Sequence, residues 1–181
     1  MHADLVCPVC FHALGLVELD AANVSPPCGG CGAQLRLGRA VIPVPPLVVP
    51  ARQLALRAPR PARSKMRLRR SGYRVIARQS FIPIIGWWSK RIIVDPSGYS
   101  VVTRKGRGTT APLDQIAGFV LFQYLSSPPE QSPANLMWCS HAALSSNEGE
   151  IAFHPLFAHF KRDDGEYFIS VMNAHLAALR G

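Results

Sequence analysis

Short runs of apolar and β-branched residues, separated by turn sequences, make up most of the chain after residue 71. Residues 91–94 and 99–103 flank Asp95-Pro96-Ser97-Gly98, which has Asp, Pro and Gly at the positions that a type I turn favours. These two runs therefore predict a β-hairpin. Further strands are predicted at residues 73–79, 109–112, 116–124, 135–143 and 150–157, which gives about seven strands.

A helical pattern ends the chain. Asp163 with Glu166 predicts a capping pair at the start of a helix, and Arg180 and Gly181 suit its C-terminal end. The helix would close the open end of a partly open antiparallel β-barrel or sandwich, so the expected fold class is mostly β with one C-terminal α-helix. The residues of its apolar stripe recur at helical spacing: Phe168, Val171, Met172, His175, Leu176 and Leu179.

Four cysteines near the N-terminus have the spacing of a metal site. Cys7, Cys10, Cys28 and Cys31 form the pattern C-x2-C-x17-C-x2-C. Two such pairs can present four thiolates to one tetrahedral Zn²⁺, and four thiolates leave no open coordination position. We therefore expect one structural zinc ion per chain. Two disulfides or four unbound thiols are the alternatives.

The residues around these cysteines resemble a small zinc ribbon. Strands are predicted at residues 14–19 and 34–37. Gly32 follows the second pair, where the knuckles of zinc ribbons often need a positive φ, and Phe11 takes that place after the first pair. His2 and His12 could replace a cysteine as ligand, but surface positions are expected because the thiolate set is complete.

Composition describes a folded protein with a metal module and one further domain. The chain has 181 residues, of which 48% are hydrophobic and 17% are charged. The apolar runs at residues 40–50 and 81–88 are too short to span a membrane as a helix. No pattern of a secretory signal precedes Cys7, so we expect reduced thiols and a cytoplasmic protein.

A proline-rich linker with a basic second half is predicted between the two domains. The predicted division is a zinc ribbon at 1–39, a linker at 40–67 and a β domain at 68–181. The net charge is +9, and residues 52–70 contain no acidic residue. Such an arm could bind phosphates of nucleic acid or lipid, or it could be a solubilising tether. Its cations are Arg52, Arg57, Arg60, Arg63, Lys65, Arg67, Arg69 and Arg70.

Residues 90–120, with their Asp-Pro-Ser-Gly-Tyr hairpin, a basic glycine turn and Ala-Pro-Leu-Asp-Gln-Ile, resemble the central hairpins of bacterial pleckstrin-homology-like (PH-like) domains. The terminal helix is similar to theirs, and the resemblance covers about residues 68–181. It implies binding or scaffolding, not catalysis. Family members that bind phosphoinositides usually carry a basic motif between the first two strands, where this pattern places residues 81–88 instead.

Residues 81–88 predict an irregular apolar loop, because Pro83 removes a ladder donor and Gly86 loosens the backbone. Either its tryptophans plug one end of the β domain, or Trp87 and Trp88 stay exposed and bind a partner.

Enzyme signatures are weak. Gly106 and Gly108 lack the third glycine and the following helix of a dinucleotide loop. Cys139 is interpreted as a small buried hydrophobe, and a nucleophilic pair of Cys139 with His141 is disfavoured. We therefore expect no enzyme and no small-molecule substrate, but a zinc-binding interaction or scaffold protein. Its partner would be another protein or an anionic membrane surface, and the alternative is nucleic acid bound by the ribbon and the basic arm.

Overall fold

The structure is a computed structural model. It describes residues 2–18, 27–36, 42–43, 61, 66–79, 90–103, 106–125, 136–146, 150–159 and 161–181. Within these residues most of the chain is antiparallel β-structure, and one long helix ends it. The mostly β fold class with a C-terminal helix is thereby confirmed.

The N-terminal region forms two short strand pairs. β1 (His2–Val6) pairs with β2 (Ala13–Glu18), and β3 (Leu35–Arg36) pairs with β4 (Ile42–Pro43). β1 and β4 were not expected from the sequence pattern. Because β4 lies inside the predicted linker, and most of that linker is outside the described residues, the division into domains stays a prediction.

Five strands then form an antiparallel meander in which each strand pairs with the next. The first of them was not expected, since the sequence pattern placed its three arginines in a tether. The segment 81–88 connects the second and third strands, not the first and second, and it lies outside the described residues. The strands are β5 (Met66–Ser71), β6 (Arg74–Gln79), β7 (Arg91–Asp95), β8 (Gly98–Thr103) and β9 (Gly106–Ala111).

The turn between β7 and β8 lies at the predicted residues, and the side chain of Asp95 is hydrogen-bonded within it. The carboxylate of Asp95 accepts a hydrogen bond from the N–H of Ser97 at 3.0 Å and another from its hydroxyl. The Ser97 hydroxyl, together with the ion pair to Arg74 at 3.1 Å, lowers the pKa of Asp95. Gly98 has a φ of 122°, and a Cβ there would lie 2.0 Å from the Ala111 carbonyl oxygen. Only glycine fits this turn.

A second sheet contains β10 (Ile116–Leu125), β11 (Leu136–Ser145) and β12 (Ile151–His159) in that order. A single 3-10 turn, Leu113–Gln115, leads into it from the first sheet. One core cluster takes buried side chains from both sheets and from the terminal helix, and the described strands form no closed barrel. No helix among the described residues is both long enough and apolar enough to cross a membrane.

The terminal helix, α1 (Arg162–Arg180), buries four of the six residues of the predicted stripe and leaves Val171 and Leu179 half-buried. Phe168, Met172 and Leu176 are at most 1% exposed. The predicted capping pair is wrong, because the helix begins at Arg162 and its N-cap residue makes no side-chain capping bond. Glu166 instead forms an ion pair with Arg162 one turn earlier in the helix.

Candidate metal centre

The four predicted ligands meet in one cluster. The Sγ atoms of Cys7, Cys10, Cys28 and Cys31 all lie within 4.8 Å of one another. Cys7 Sγ is 3.7 Å from Cys31 Sγ, and Cys10 Sγ is 3.6 Å from Cys28 Sγ. A tetrahedral ion with bonds of about 2.3 Å to sulfur places its ligands about 3.8 Å apart. The four cysteines are therefore positioned to hold one metal ion.

The disulfide alternative does not fit these positions. A disulfide needs two sulfurs about 2.05 Å apart, whereas the Sγ atoms of Cys7 and Cys31 are separated by 3.7 Å and those of Cys10 and Cys28 by 3.6 Å. All four cysteines are free thiols in the structure. The histidine alternative is not supported either, since His12 is exposed and does not belong to the cluster. The side chain of His2 lies outside those described.

Two loops with the same hydrogen-bond pattern position the thiols. The N–H of Phe11 donates to the carbonyl of Cys7 at 2.9 Å, and the N–H of Gly32 donates to the carbonyl of Cys28 at 2.7 Å. Each first cysteine also donates its own N–H to the carbonyl five residues later, at 2.9 Å in both loops. Phe11 has a φ of 59° and Gly32 a φ of 74°. Phe11 thus takes the same left-handed conformation as the glycine of the second loop.

Burial controls the protonation of the thiols. It raises the pKa of Cys10 to about 12 and also raises the pKa of Cys7. Burial acts on Cys28 as well, but the N–H groups of Gly30 and Cys31 and the neighbouring thiols donate to its sulfur and together lower its pKa. Without a cation, Cys7 and Cys10 are protonated at neutral pH. Metal binding must therefore release protons from this site.

The first cysteine loop covers the free edge of β10, the outer strand of the three-stranded sheet. The N–H of Leu121 on β10 donates to the carbonyl of Pro8 at 3.3 Å. The N–H of Val6 donates to Oε1 of Gln123, which is also on β10, at 3.3 Å. Val6 is 6% exposed and belongs to the core cluster of the two sheets. The first cysteine loop thereby accepts one backbone N–H of the outer edge of this sheet.

The same loop also contacts the start of α1. The Arg162 guanidinium donates to the carbonyl of Phe11 at 3.3 Å, and it lies 6.0 Å from the ring centroid of Trp138 on β11. The side chain of Phe11 packs against the core cluster. Arg162 therefore connects the metal-binding loop, the helix and the three-stranded sheet.

The thiol of Cys139 and the ring of His141 do not form a nucleophilic pair. Nδ1 of His141 donates to the carbonyl of Cys139 at 3.0 Å, and Nε2 accepts from the hydroxyl of Tyr124 at 3.1 Å. Burial raises the pKa of the Cys139 thiol, which keeps it protonated. Both ring nitrogens serve a structural network, so this pair has no activated nucleophile.

Ser140, His159 and Asp164, which have no motif in the sequence, lie together where β11 and β12 meet the start of α1. Nε2 of His159 is 3.0 Å from Oγ of Ser140, and the carboxylate of Asp164 is close enough to His159 to act on its pKa. Ser140 is 0% exposed, and its hydroxyl donates to the carbonyl of Phe157 and accepts from the N–H of the same residue. A substrate cannot reach this hydroxyl. Nδ1 of His159 and Oδ1 of Asp164 are buried without a hydrogen-bond partner among the described residues, so the aspartate does not orient the imidazole as in a catalytic triad.

The remaining predicted site residues divide into two groups. Arg67, Arg69 and Arg70 are exposed on β5. The other predicted polyanion-binding and partner-binding residues lie outside the described residues, so no structure is given for them: Arg52, Arg57, Arg60, Arg63, Lys65, Trp87 and Trp88.

Comparisons of the chain with protein-family models, with curated proteins and with solved structures found no match.

Proposed function

We propose that the protein is a non-catalytic interaction or scaffold protein in which one zinc ion holds a ribbon against a PH-like β domain. The observation that carries this proposal is the closed set of four cysteines whose first loop is bonded to β10. Four thiolates complete a tetrahedral shell and leave no position for water or substrate. The metal therefore acts as a structural element.

Zinc is the metal that this donor set favours, since soft thiolate ligands in tetrahedral geometry select zinc or iron–sulfur clusters. A ribbon of this size buries too little apolar surface to fold without help. Zinc binding to comparable peptides contributes about 10 to 16 kcal/mol. Folding of the ribbon and binding of zinc would then be one equilibrium.

The PH-like assignment is supported by the order of elements, a five-stranded sheet, a three-stranded sheet and one helix against their core. The proposed partner is another protein or an anionic membrane surface, and no small-molecule substrate is proposed. The proposed location is the cytoplasm, where thiols such as these stay reduced.

Metal content tests the zinc assignment. Elemental analysis of purified protein is expected to give one zinc per chain for the wild type, and a value near zero for Cys28→Ser, because three thiolates leave the shell open. The matched control is Cys139→Ser, which removes the one cysteine outside the cluster and should keep one zinc. A wild type without zinc, or equal loss in both variants, would refute the assignment.

Affinity purification of the tagged protein, with and without nuclease, tests the interaction role. A protein that stays bound after nuclease treatment is expected. Recovery that depends entirely on nucleic acid would contradict a protein partner.

A further inference from the structure

The register of the five-stranded sheet brings three arginines side by side. Arg67 on β5 pairs with Arg78 on β6, and Arg78 pairs with Arg91 on β7. Residues directly opposite each other share one face of a sheet, and neighbouring strands are about 4.8 Å apart. The three side chains therefore form a row with an extent of about 10 Å. All three are exposed.

The row lies on the solvent face of the sheet. The adjacent positions in the same register are Leu68, Ala77 and Ile92, and these contribute to the core cluster. Because side chains alternate between the two faces of a strand, the arginines must point away from the core. Arg69 lies two residues further along β5 on the same face and is also exposed.

No carboxylate balances these charges among the described residues. The two ion pairs found there are Arg74 with Asp95 and Arg162 with Glu166. Like charges directly opposite each other destabilise a sheet. A row of unbalanced arginines thus carries a free-energy cost in the unbound protein, and an anionic ligand would relieve it.

We propose that the arginine row, defined as Arg67, Arg78 and Arg91 with Arg69 beside them, binds the phosphate backbone of double-stranded nucleic acid. A guanidinium donates two parallel hydrogen bonds to a phosphate, which an ammonium cannot do. The described residues of β5 to β9 include arginines and no lysine. This inference goes beyond the proposed function, because it depends on the sheet register and not on the metal site.

The composition of this face favours a duplex over a single strand. Single-stranded nucleic acid is held by bases stacked on aromatic side chains. The outer-face positions between the arginines and the β7–β8 turn are Ile76, Ile93 and Ser100, so no stacking platform is present among them. The exposed aromatic residue of the described sheet, Tyr73, lies at the β5–β6 turn. From the described residues of this face we therefore expect contacts to the phosphate backbone of a nucleic acid and none to its bases.

An anionic membrane fits less well. Stable attachment to a membrane surface needs an apolar group or a lipid beside the basic patch. The described apolar residues of this face, Ile76 and Ile93, are half-buried within the sheet. Among the residues that the structure describes on this face, the row therefore has charge but no membrane anchor.

The test measures binding of the full-length, zinc-loaded protein to a fluorescent 20-base-pair DNA duplex over a range of salt concentrations. The row variant is Arg67→Gln with Arg78→Gln and Arg91→Gln. The matched control removes the same number of charges away from this face, through Arg36→Gln, Arg70→Gln and Lys161→Gln. The logarithm of the binding constant falls with the logarithm of the salt concentration, and each lost phosphate contact makes this slope less steep by about 0.9. The row variant should therefore have a slope that is less steep than the wild-type slope by about 2.7. The control should keep the wild-type slope.

Equal losses in the row variant and the control would overturn the proposal, because net charge alone would then explain the binding. So would a wild type that binds phosphatidylserine vesicles but not the duplex. If the triple variant does not keep the wild-type circular dichroism spectrum, the single variant Arg78→Gln replaces it, with an expected slope change of about 0.9. An unchanged slope in that variant would also refute the proposal that the arginine row binds the duplex. Binding of duplex RNA in parallel shows whether the backbone contact is specific for DNA.

Discussion

At the scale of single residues, two buried histidines are held in their neutral form. His141 donates from Nδ1 to a carbonyl, accepts at Nε2 and stacks on Phe122 with ring centroids 4.3 Å apart. His159 is 2% exposed beneath α1. Burial lowers the pKa of both histidines to about 4. Protonation of either ring would place a charge in the core.

Acid should therefore destabilise the protein between about pH 6.5 and pH 4. In that range the unfolded chain binds a proton at each histidine and the folded chain does not, so stability falls as the pH falls. Each histidine contributes a slope of about 1.4 kcal/mol per pH unit. Urea unfolding at several pH values measures how the free energy of unfolding changes with pH. His141→Gln should reduce this slope by about 1.4 kcal/mol per pH unit. Equal slopes for the variant and the wild type would contradict the neutral assignment of His141.

The sequence was sufficient to predict the cluster of Cys7, Cys10, Cys28 and Cys31, because their spacing is local and chemically specific. It was not sufficient for Ser140, His159 and Asp164, since they lie on three different elements and meet only after the sheet and helix pack. A positive φ at Phe11 was also unexpected. The matching bonds of the two cysteine loops account for it.

At the scale of elements, β10 is an outer strand whose open edge is satisfied by two different parts of the chain. The N–H and carbonyl of Phe119 bind the side-chain amide of Asn173 on α1, at 2.8 and 2.9 Å. Leu121, two residues later, donates its N–H to Pro8 of the metal-binding loop. One side chain and one loop thus replace a neighbouring strand.

Replacing Asn173 with Leu should destabilise the protein by about 2 to 5 kcal/mol, because two buried backbone groups lose their partners while the side-chain volume is nearly kept. The matched control is Ser170→Ala, about one turn earlier, where the buried hydroxyl donates to the carbonyl of Tyr167 in its own helix. It should change stability by no more than about 1.5 kcal/mol, the net contribution of one hydrogen bond, because no backbone group outside the helix loses a partner among the described residues. Chemical denaturation measures both variants, and similar stabilities would argue against edge capping by Asn173.

Turn chemistry predicted the β7–β8 hairpin, since Asp95 and Gly98 have roles that few other residues can fill. β5 was missed although Met66 and Leu68 alternate with Arg67 and Arg69, because the density of arginines resembled a tether. The apolar stripe of α1 was confirmed, but the residue at which the helix begins was not predicted. The carboxylate of Glu166, which the sequence pattern assigned to the helix cap, forms an i,i+4 ion pair with Arg162.

At the scale of the whole molecule, the metal-binding loop, β10 and the start of α1 form one connected unit. Arg162 bonds to the Phe11 carbonyl, and Val6 enters the core cluster of both sheets. The sequence predicted a ribbon and a β domain, but not this contact, because packing between distant segments has no local signature. The arginine row was not predicted for the same reason, because its residues become neighbours only when β5, β6 and β7 pair in register.

The central claim is that a metal held by the four cysteines keeps the first loop in place on β10. Amide hydrogen exchange at Leu121, measured with the metal bound and after its removal by a chelator, tests this claim most directly. We expect protection at Leu121 to fall when the metal leaves, because its acceptor is the Pro8 carbonyl between two ligands. Protection at Phe119 should remain, since its acceptor is Asn173. Unchanged exchange at Leu121, or equal loss at both amides, would contradict the account.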